Sequence, residues 1–275
     1  MINITLKDGS VKQYSEETSV ISIAKDISEG LARNVISANF NDKVVEVNSM
    51  INEDGKLEFY TWDNDEGKSA FWHSSSHVMA QSIQELFPGV KLTIGPAINS
   101  GFYYDVDLGS HKISESDFDK IESRMLEICR EKHDFNLRPV SKKEAIKFYK
   151  EEDNDYKLEL INDLKDGEIT FCDHSNFTDL CKGGHLPNTS IIKAVKILNI
   201  SGAFWRADQN NKQLTRIYGI SFPKQKLLKE YLNNIEQAKL RDHRKIGKNL
   251  KLFSFSSKVG LGLPLWLPKG VELRD

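Results

Sequence analysis

Apolar and polar residues alternate with a period of two through much of the first sixty positions, and with a helical period in several later stretches. Ile2–Leu6 and Val11–Tyr14 flank a polar tetrapeptide whose Asp8-Gly9 pair is a hairpin turn signal. A helix is predicted next, capped at Thr18 or Ser19, with Val20, Ile21, Ala24 and Ile27 at helical spacing and Gly30 as its stop. Short β-rich runs follow at 35–40, 43–47 and 56–61, parted by Asn41-Asp42 and Asp54-Gly55. A hairpin, a helix and more strands in so short a span predict one helix across a mixed sheet. Residues 63–68 are polar and read as a linker.

Residues 69–87 form a strong helical pattern, with Trp72, Met79, Ile83 and Leu86 on one stripe. His73 and His77 fall together on its flank, about 100–140° from the stripe at 100° per residue. Residues 87–107 alternate β-rich runs with two Gly/Pro turns. Amphipathic helices are expected at 115–132, opened by Ser114 or Ser116, and at 141–152, with Ser141 and Glu144 in capping-box register. Asn/Asp/Gly-rich turns then lead to Leu180-Cys-Lys-Gly-Gly-His185. Two β-like stretches, 194–205 and 215–222, are separated by a polar tip, and 223–250 reads as one long charged helix. The remainder is apolar and Gly/Pro-rich, without a closing element, as if cut from a longer polypeptide. The pattern is that of an α+β chain.

Composition narrows the class. Hydrophobic residues are 39% and charged residues 28%, as in ordinary globular proteins. No segment approaches an unbroken membrane-spanning run, and no signal peptide precedes the first strand. Three scattered cysteines are too few for a disulfide framework, so reduced thiols and a cytoplasmic location are expected. The net charge of −2 conceals a basic end: residues 239–275 carry nine Lys/Arg against three Asp/Glu. Such an end suits a polyanion or is a solvated helix face, and Lys239, Arg241, Arg244 and Lys245 are the candidate phosphate contacts.

Two short pairs carry the chemistry. His73 and His77, one helical turn apart, can reach a single atom or ion. Cys181 and His185 repeat the spacing within a glycine turn. Together they could make a four-ligand zinc site or a water-handling cluster, and spacing does not choose between them.

The motifs His73–Pro88, Thr93–Asp105, Tyr156–Leu160, Phe177–Thr189, Ser201–Asp208 and Arg216–Phe222 are similar, in order and spacing, to those of the bacterial-type threonyl-tRNA synthetases. The resemblance covers the whole chain. It implies a ubiquitin-like β-grasp (TGS) domain at 1–62, and an α+β editing domain at 63–240 with a helix over an antiparallel sheet. A long basic linker helix and the start of a class II catalytic domain would follow at 241–275. It implies deacylation of mischarged Ser-tRNA(Thr), with His73, His77, Lys157, Cys181 and His185 catalytic and Tyr104 and Asp179 binding substrate. The longer protein would ligate threonine to tRNA(Thr) with ATP, magnesium and a catalytic-domain zinc, as a homodimer. The editing site itself is expected to need no metal, because four protein ligands would close the shell against water. One departure stands out: Gly183-Gly184-His185 replaces the expected Gly-Pro-His, loosening the turn that carries His185. Two rival readings remain open, a zinc-stabilised RNA-binding module without catalysis and a freestanding editing deacylase.

Overall fold

The structure, a computed structural model, describes residues 1–256, 258 and 260–274. The chain divides into two compact units, Met1–Gln225 and Lys226–Asp275.

The first unit opens with β1 (Ile2–Leu6), β2 (Val11–Tyr14), β3 (Thr18–Ser19), α1 (Val20–Ile27), α2 (Glu29–Asn34), β4 (Ser37–Phe40), β5 (Lys43–Val45), β6 (Met50–Ile51) and β7 (Gly55–Tyr60). The main sheet runs β2-β1-β7-β4-β5, with β1 and β7 parallel and the other pairs antiparallel, and β3 pairs β6 apart from it. This is the mixed sheet with a helix across it that the β-grasp expectation requires. Val20 and Ile23 of α1 pack with Ile2, Ile4, Ala38 and Leu57 from the strands. Each such fully buried aliphatic contributes about 1.5–3 kcal/mol. Ser19 is the cap, as expected, but Gly30 is not the stop. Ser28 ends α1 by giving its N–H to Ala24 O, and its hydroxyl then caps α2 at Leu31 N. Gly30 lies inside that second helix because a strong local cap outweighs the glycine signal.

Next come α3 (Asp65–Leu86), β8 (Lys91–Leu92), β9 (Ala97–Ile98), β10 (Gly101–Asp107), α4 (Phe118–Glu131), β11 (Asn136–Pro139), α5 (Lys142–Glu151), α6 (Asp155–Asn162), β12 (Thr170–His174), β13 (Phe177–Leu180), β14 (Ala194–Phe204) and β15 (Gln213–Phe222). Helix α3 begins inside the stretch read as a linker, since Asp65–Lys68 supply its first turn. Gly67 permits this start: a Cβ there would lie 1.9 Å from Thr61 O. The helix is not simply amphipathic, for 14 of its 22 residues are buried. Ser74, Ser75 and Ser82 turn their hydroxyls back to the carbonyls of Ala70, Phe71 and Val78, which lets polar residues occupy the interior.

An antiparallel sheet, β14-β15-β10-β8 with β9 also on β10, meets α3 through Trp72 Nε1–H donated to Ser221 O at 3.1 Å. A three-stranded sheet, β11-β12-β13, shares a core with α5 and α6 through Val140, Ala145, Tyr149, Ile161 and Phe171. The turn-rich reading of the segment before Cys181 is thereby corrected, since it contains α6, β12 and β13. Their interrupted apolar runs are too short for periodicity to register. Ser114 is the residue that opens the α4 region, through a capping box with Asp117 on a short 3-10 turn. Ser141 caps α5 at Glu144 N.

Into and through the second unit run α7 (Gln225–Leu240), α8 (His243–Asn249), β16 (Phe253–Ser256), β17 (Gly260–Trp266) and α9 (Pro268–Arg274). The single long basic helix expected over 223–250 is two helices. Asp242 breaks it by taking a non-helical conformation and capping α8 at Arg244 N, 2.9 Å away. The apolar tail folds as a β16-β17 hairpin followed by α9. The tail's Ser257, Val259 and Asp275 lie outside the described residues.

Candidate active site

Four donor atoms meet where α3 faces the turn after β13. His73 and His77 stand one turn apart on α3, and their Nε2 atoms are 3.2 Å from each other. Cys181 Sγ lies 3.3 Å from His73 Nε2 and 3.1 Å from His185 Nε2. The two pairs noted in the sequence therefore form one cluster, with all four donor atoms within 4.8 Å of one another. His73 is half-buried, whereas His77, Cys181 and His185 are buried. His77 is thus more interior than its flanking angle implied, because both faces of α3 are covered.

The turn that carries Cys181 and His185 is held from several sides. Cys181 N–H donates to Thr170 O at 3.1 Å, and Leu186 N–H donates to Ser74 Oγ at 2.8 Å. Gly183 and Gly184 take φ of +96° and +85°, a region closed to proline and strained for other residues. The His185 ring stacks on Phe135 at 5.6 Å between centroids and on His73 at 4.8 Å.

Behind the cluster lies a buried charged network centred on Asp179. Its carboxylate pairs with Lys157 Nζ, accepts a hydrogen bond from Tyr104 Oη at 2.6 Å, and stands 3.2 Å from His77 Nδ1. Tyr149 Oη donates to the same carboxylate at 3.4 Å and accepts from Leu180 N–H at 2.7 Å. Lys157 is 2% exposed and Tyr104 fully buried, so neither is the solvated charge or plain core ring that its local sequence suggests.

These neighbours set the protonation states. Burial pushes the Asp179 carboxyl up, yet Lys157 and His77 outweigh it and hold it well below the usual carboxylate range. Burial likewise opposes ionisation of Cys181, but His77 and His73 beside it bring the thiol well below its ordinary value. His185 and His77 are raised: burial alone would lower both, and their thiol and carboxylate partners prevail. The cluster thus favours proton sharing between a sulfur and its imidazoles.

Two cavities reach it. One of about 480 Å³ is lined by His73, His77, Lys157, Asp179 and Cys181. Another, of about 710 Å³, is bordered by His73, Val44, Asp65, Gly183 and Gly184. The donor set also suits zinc: one sulfur and three imidazole nitrogens lie within 4.8 Å of one another, and both are ordinary ligands of tetrahedral zinc. The group is compatible with a metal site.

Tyr149, Glu46 and Cys172 escaped the sequence reading. Tyr149 offered no more than a place on the buried stripe of α5. Glu46 lies far off in the chain yet contacts His185 Nδ1 at 3.0 Å, and Cys172 Sγ lies 3.6 Å from the same atom. Burial first of all pushes the Cys172 thiol up to about 11, so it stays protonated. In the second unit, Lys239, Arg241, Arg244 and Lys245 are all exposed, and Arg244 is paired with Asp242 at 2.8 Å.

Residues 2–61 match the TGS domain family, and residues 169–218 match the threonyl and alanyl tRNA synthetase second additional domain. Among curated relatives, the chain is 64% identical to a threonine–tRNA ligase of Flavobacterium psychrophilum, 51% to one of Cytophaga hutchinsonii and 50% to one of Bacteroides thetaiotaomicron. Each match takes in all of this chain but only 42–43% of the relative. The chain belongs to the threonyl-tRNA synthetase family, as the counterpart of its N-terminal TGS and editing region.

Proposed function

We propose that this chain hydrolyses seryl esters of tRNA(Thr). The observation that carries the reading is a cluster of three imidazoles and a thiol, of which His73, His77 and Cys181 line a cavity that also holds Lys157 and Asp179. A site that binds threonine by its hydroxyl rejects serine poorly, because one missing methyl is worth only about 1–3 kcal/mol. A hydrolytic second sieve can exclude threonine by that methyl and admit the smaller serine.

Hydrolysis needs a water held near the ester carbonyl, a base for its proton and a positive partner for the developing oxyanion. His73 is the half-buried imidazole at the cavity, suited to hold the water; His77 and His185, with Cys181, take up and pass on its proton. Lys157 shares the cavity and balances charge on the carbonyl oxygen. Asp179 and Tyr104 receive the substrate ammonium, which exchanges for a partner the carboxylate already has. Exposed Lys239, Arg241, Arg244 and Lys245 supply phosphate contacts to tRNA. Ligation of threonine with ATP, magnesium and zinc, and homodimer formation, are proposed for the longer protein, as its relatives' names suggest for the first.

The test is deacylation of Ser-tRNA(Thr) beside Thr-tRNA(Thr), with binding measured across salt. Selective hydrolysis of the seryl ester is expected, with binding that falls steeply as salt rises. Equal hydrolysis of both esters, or of neither, defeats the editing reading, and salt-independent binding defeats the phosphate contacts. A second reading rests on the same four donors: zinc held by His73, His77, Cys181 and His185 would stabilise the fold. Stoichiometric zinc in protein purified without added metal, with a melting temperature that drops on chelation, would select it.

A further inference from the structure

The N-terminal domain contributes a carboxylate to the turn that carries His185. Glu46 sits between β5 and β6 in a backbone tied to the start of α1: Ile21 N–H donates to Val47 O at 2.8 Å, and Ser49 N–H to Glu46 O at 2.9 Å. Val47 is buried against Ala24 and Val35, so the segment is anchored in the domain's own core. From there the Glu46 side chain gathers the turn. It accepts from Gly184 N–H at 3.1 Å and from His185 N–H at 3.2 Å, and it meets His185 Nδ1 at 3.0 Å.

A carboxylate can only accept, so the Nδ1 contact requires a proton on Nδ1 and, in the neutral ring, leaves the lone pair on Nε2. That Nε2 is the atom facing Cys181 Sγ at 3.1 Å. The glycine departure has a role here too. A proline at 184 would lack the N–H given to Glu46 and could not adopt φ of +85°. The looser turn is therefore held by an external carboxylate.

We infer that Glu46, across the junction between the N-terminal and editing domains, is a positioning residue that fixes the tautomer and orientation of His185. The inference rests on the hydrolytic reading above only for its kinetic consequence. Outer partners that orient a functional imidazole are worth about 10–100-fold when lost. Glu46→Ala should lower kcat for Ser-tRNA(Thr) deacylation by about that factor, with KM little changed. Glu46→Gln, which keeps an acceptor oxygen, should restore most of the rate. A merely structural contact would not give this split, and it would not alter the ring. Nitrogen-15 spectra of the imidazoles should show His185 protonated at Nδ1 in the parent and Glu46→Gln, and shifted toward Nε2–H in Glu46→Ala. An unchanged kcat in a folded Glu46→Ala protein, or an unchanged tautomer, overturns the inference. If the parent itself fails to deacylate, the hydrolytic reading falls, while the tautomer measurement still decides the role of Glu46.

Discussion

His73 and His77 reach the site from α3, whereas Cys181 and His185 reach it from a glycine turn after β13. The helix needs little outside help. Its hydrogen bonds and its buried serines set both imidazoles, and the four-residue spacing alone puts them on one side. The turn has two left-handed glycines and no ladder of its own beyond Cys181, so its geometry is borrowed. Ser74 holds Leu186, Phe135 stacks on the His185 ring, and Glu46 takes the ring nitrogen and two backbone N–H groups. A regular element carries its chemistry in its spacing, and an irregular one carries it in its partners.

The largest effect should come from breaking the helical arm. His73→Ala or His77→Ala is expected to slow seryl ester hydrolysis by roughly 10²–10⁴, the usual cost of losing a general base. His73→Ala should melt near the parent, because that ring is only half-buried. Cys181→Ser on the other arm should be milder, since a hydroxyl keeps a small polar group there. Parent-like rates in folded helical-arm variants would abolish the distinction and the shared site with it.

Next in size is a change behind both arms. Asp179→Ala leaves the Lys157 ammonium buried without its carboxylate, and Asp179 and Lys157 are each 2% exposed. Breaking one partner of such a pair costs about 3–5 kcal/mol. Urea denaturation measures this, and a loss below about 1 kcal/mol would mean water reaches the ammonium after all.

The smallest effect concerns a histidine beneath both arms. His174 lies between Phe135, which stacks on His185, and Phe177, which faces His77. Both its ring nitrogens are buried without a hydrogen-bond partner among the described residues, and burial lowers its pKa to about 3. The folded value is below the ordinary one of about 6.5, so the folded state refuses a proton that the unfolded chain accepts. The associated stability is full above about pH 6.5 and is lost as pH falls toward 3, amounting to about 2 kcal/mol by pH 5. His174→Phe should remove that part of the acid sensitivity, seen as a shallower drop in melting temperature between pH 7 and 5. An unaltered pH profile would place the sensitivity elsewhere.

The sequence by itself determined the helix that bears His73 and His77, the helix across a mixed sheet in the first sixty residues and the long strands β14 and β15. In each, periodicity or a turn signal is stated within a dozen neighbouring residues. It also put the Cys181–His185 pair on a glycine turn, and the resemblance joined that turn to α3. Tertiary structure alone decided the rest. Lys157 looks like a solvated charge from its neighbours, yet Asp179 makes it a buried ion pair. Tyr149 and Glu46 have no local mark at all, since what gives them a role is a partner about 30 and 139 residues away. The split of the basic helix at Asp242 turned on a cap that competes with helical propensity, a balance too close for composition to settle. Local pattern encodes the elements. Which buried charges are paired, and which nitrogen of His185 meets a carboxylate, depends on groups that only the folded chain brings within 3 Å or so of each other.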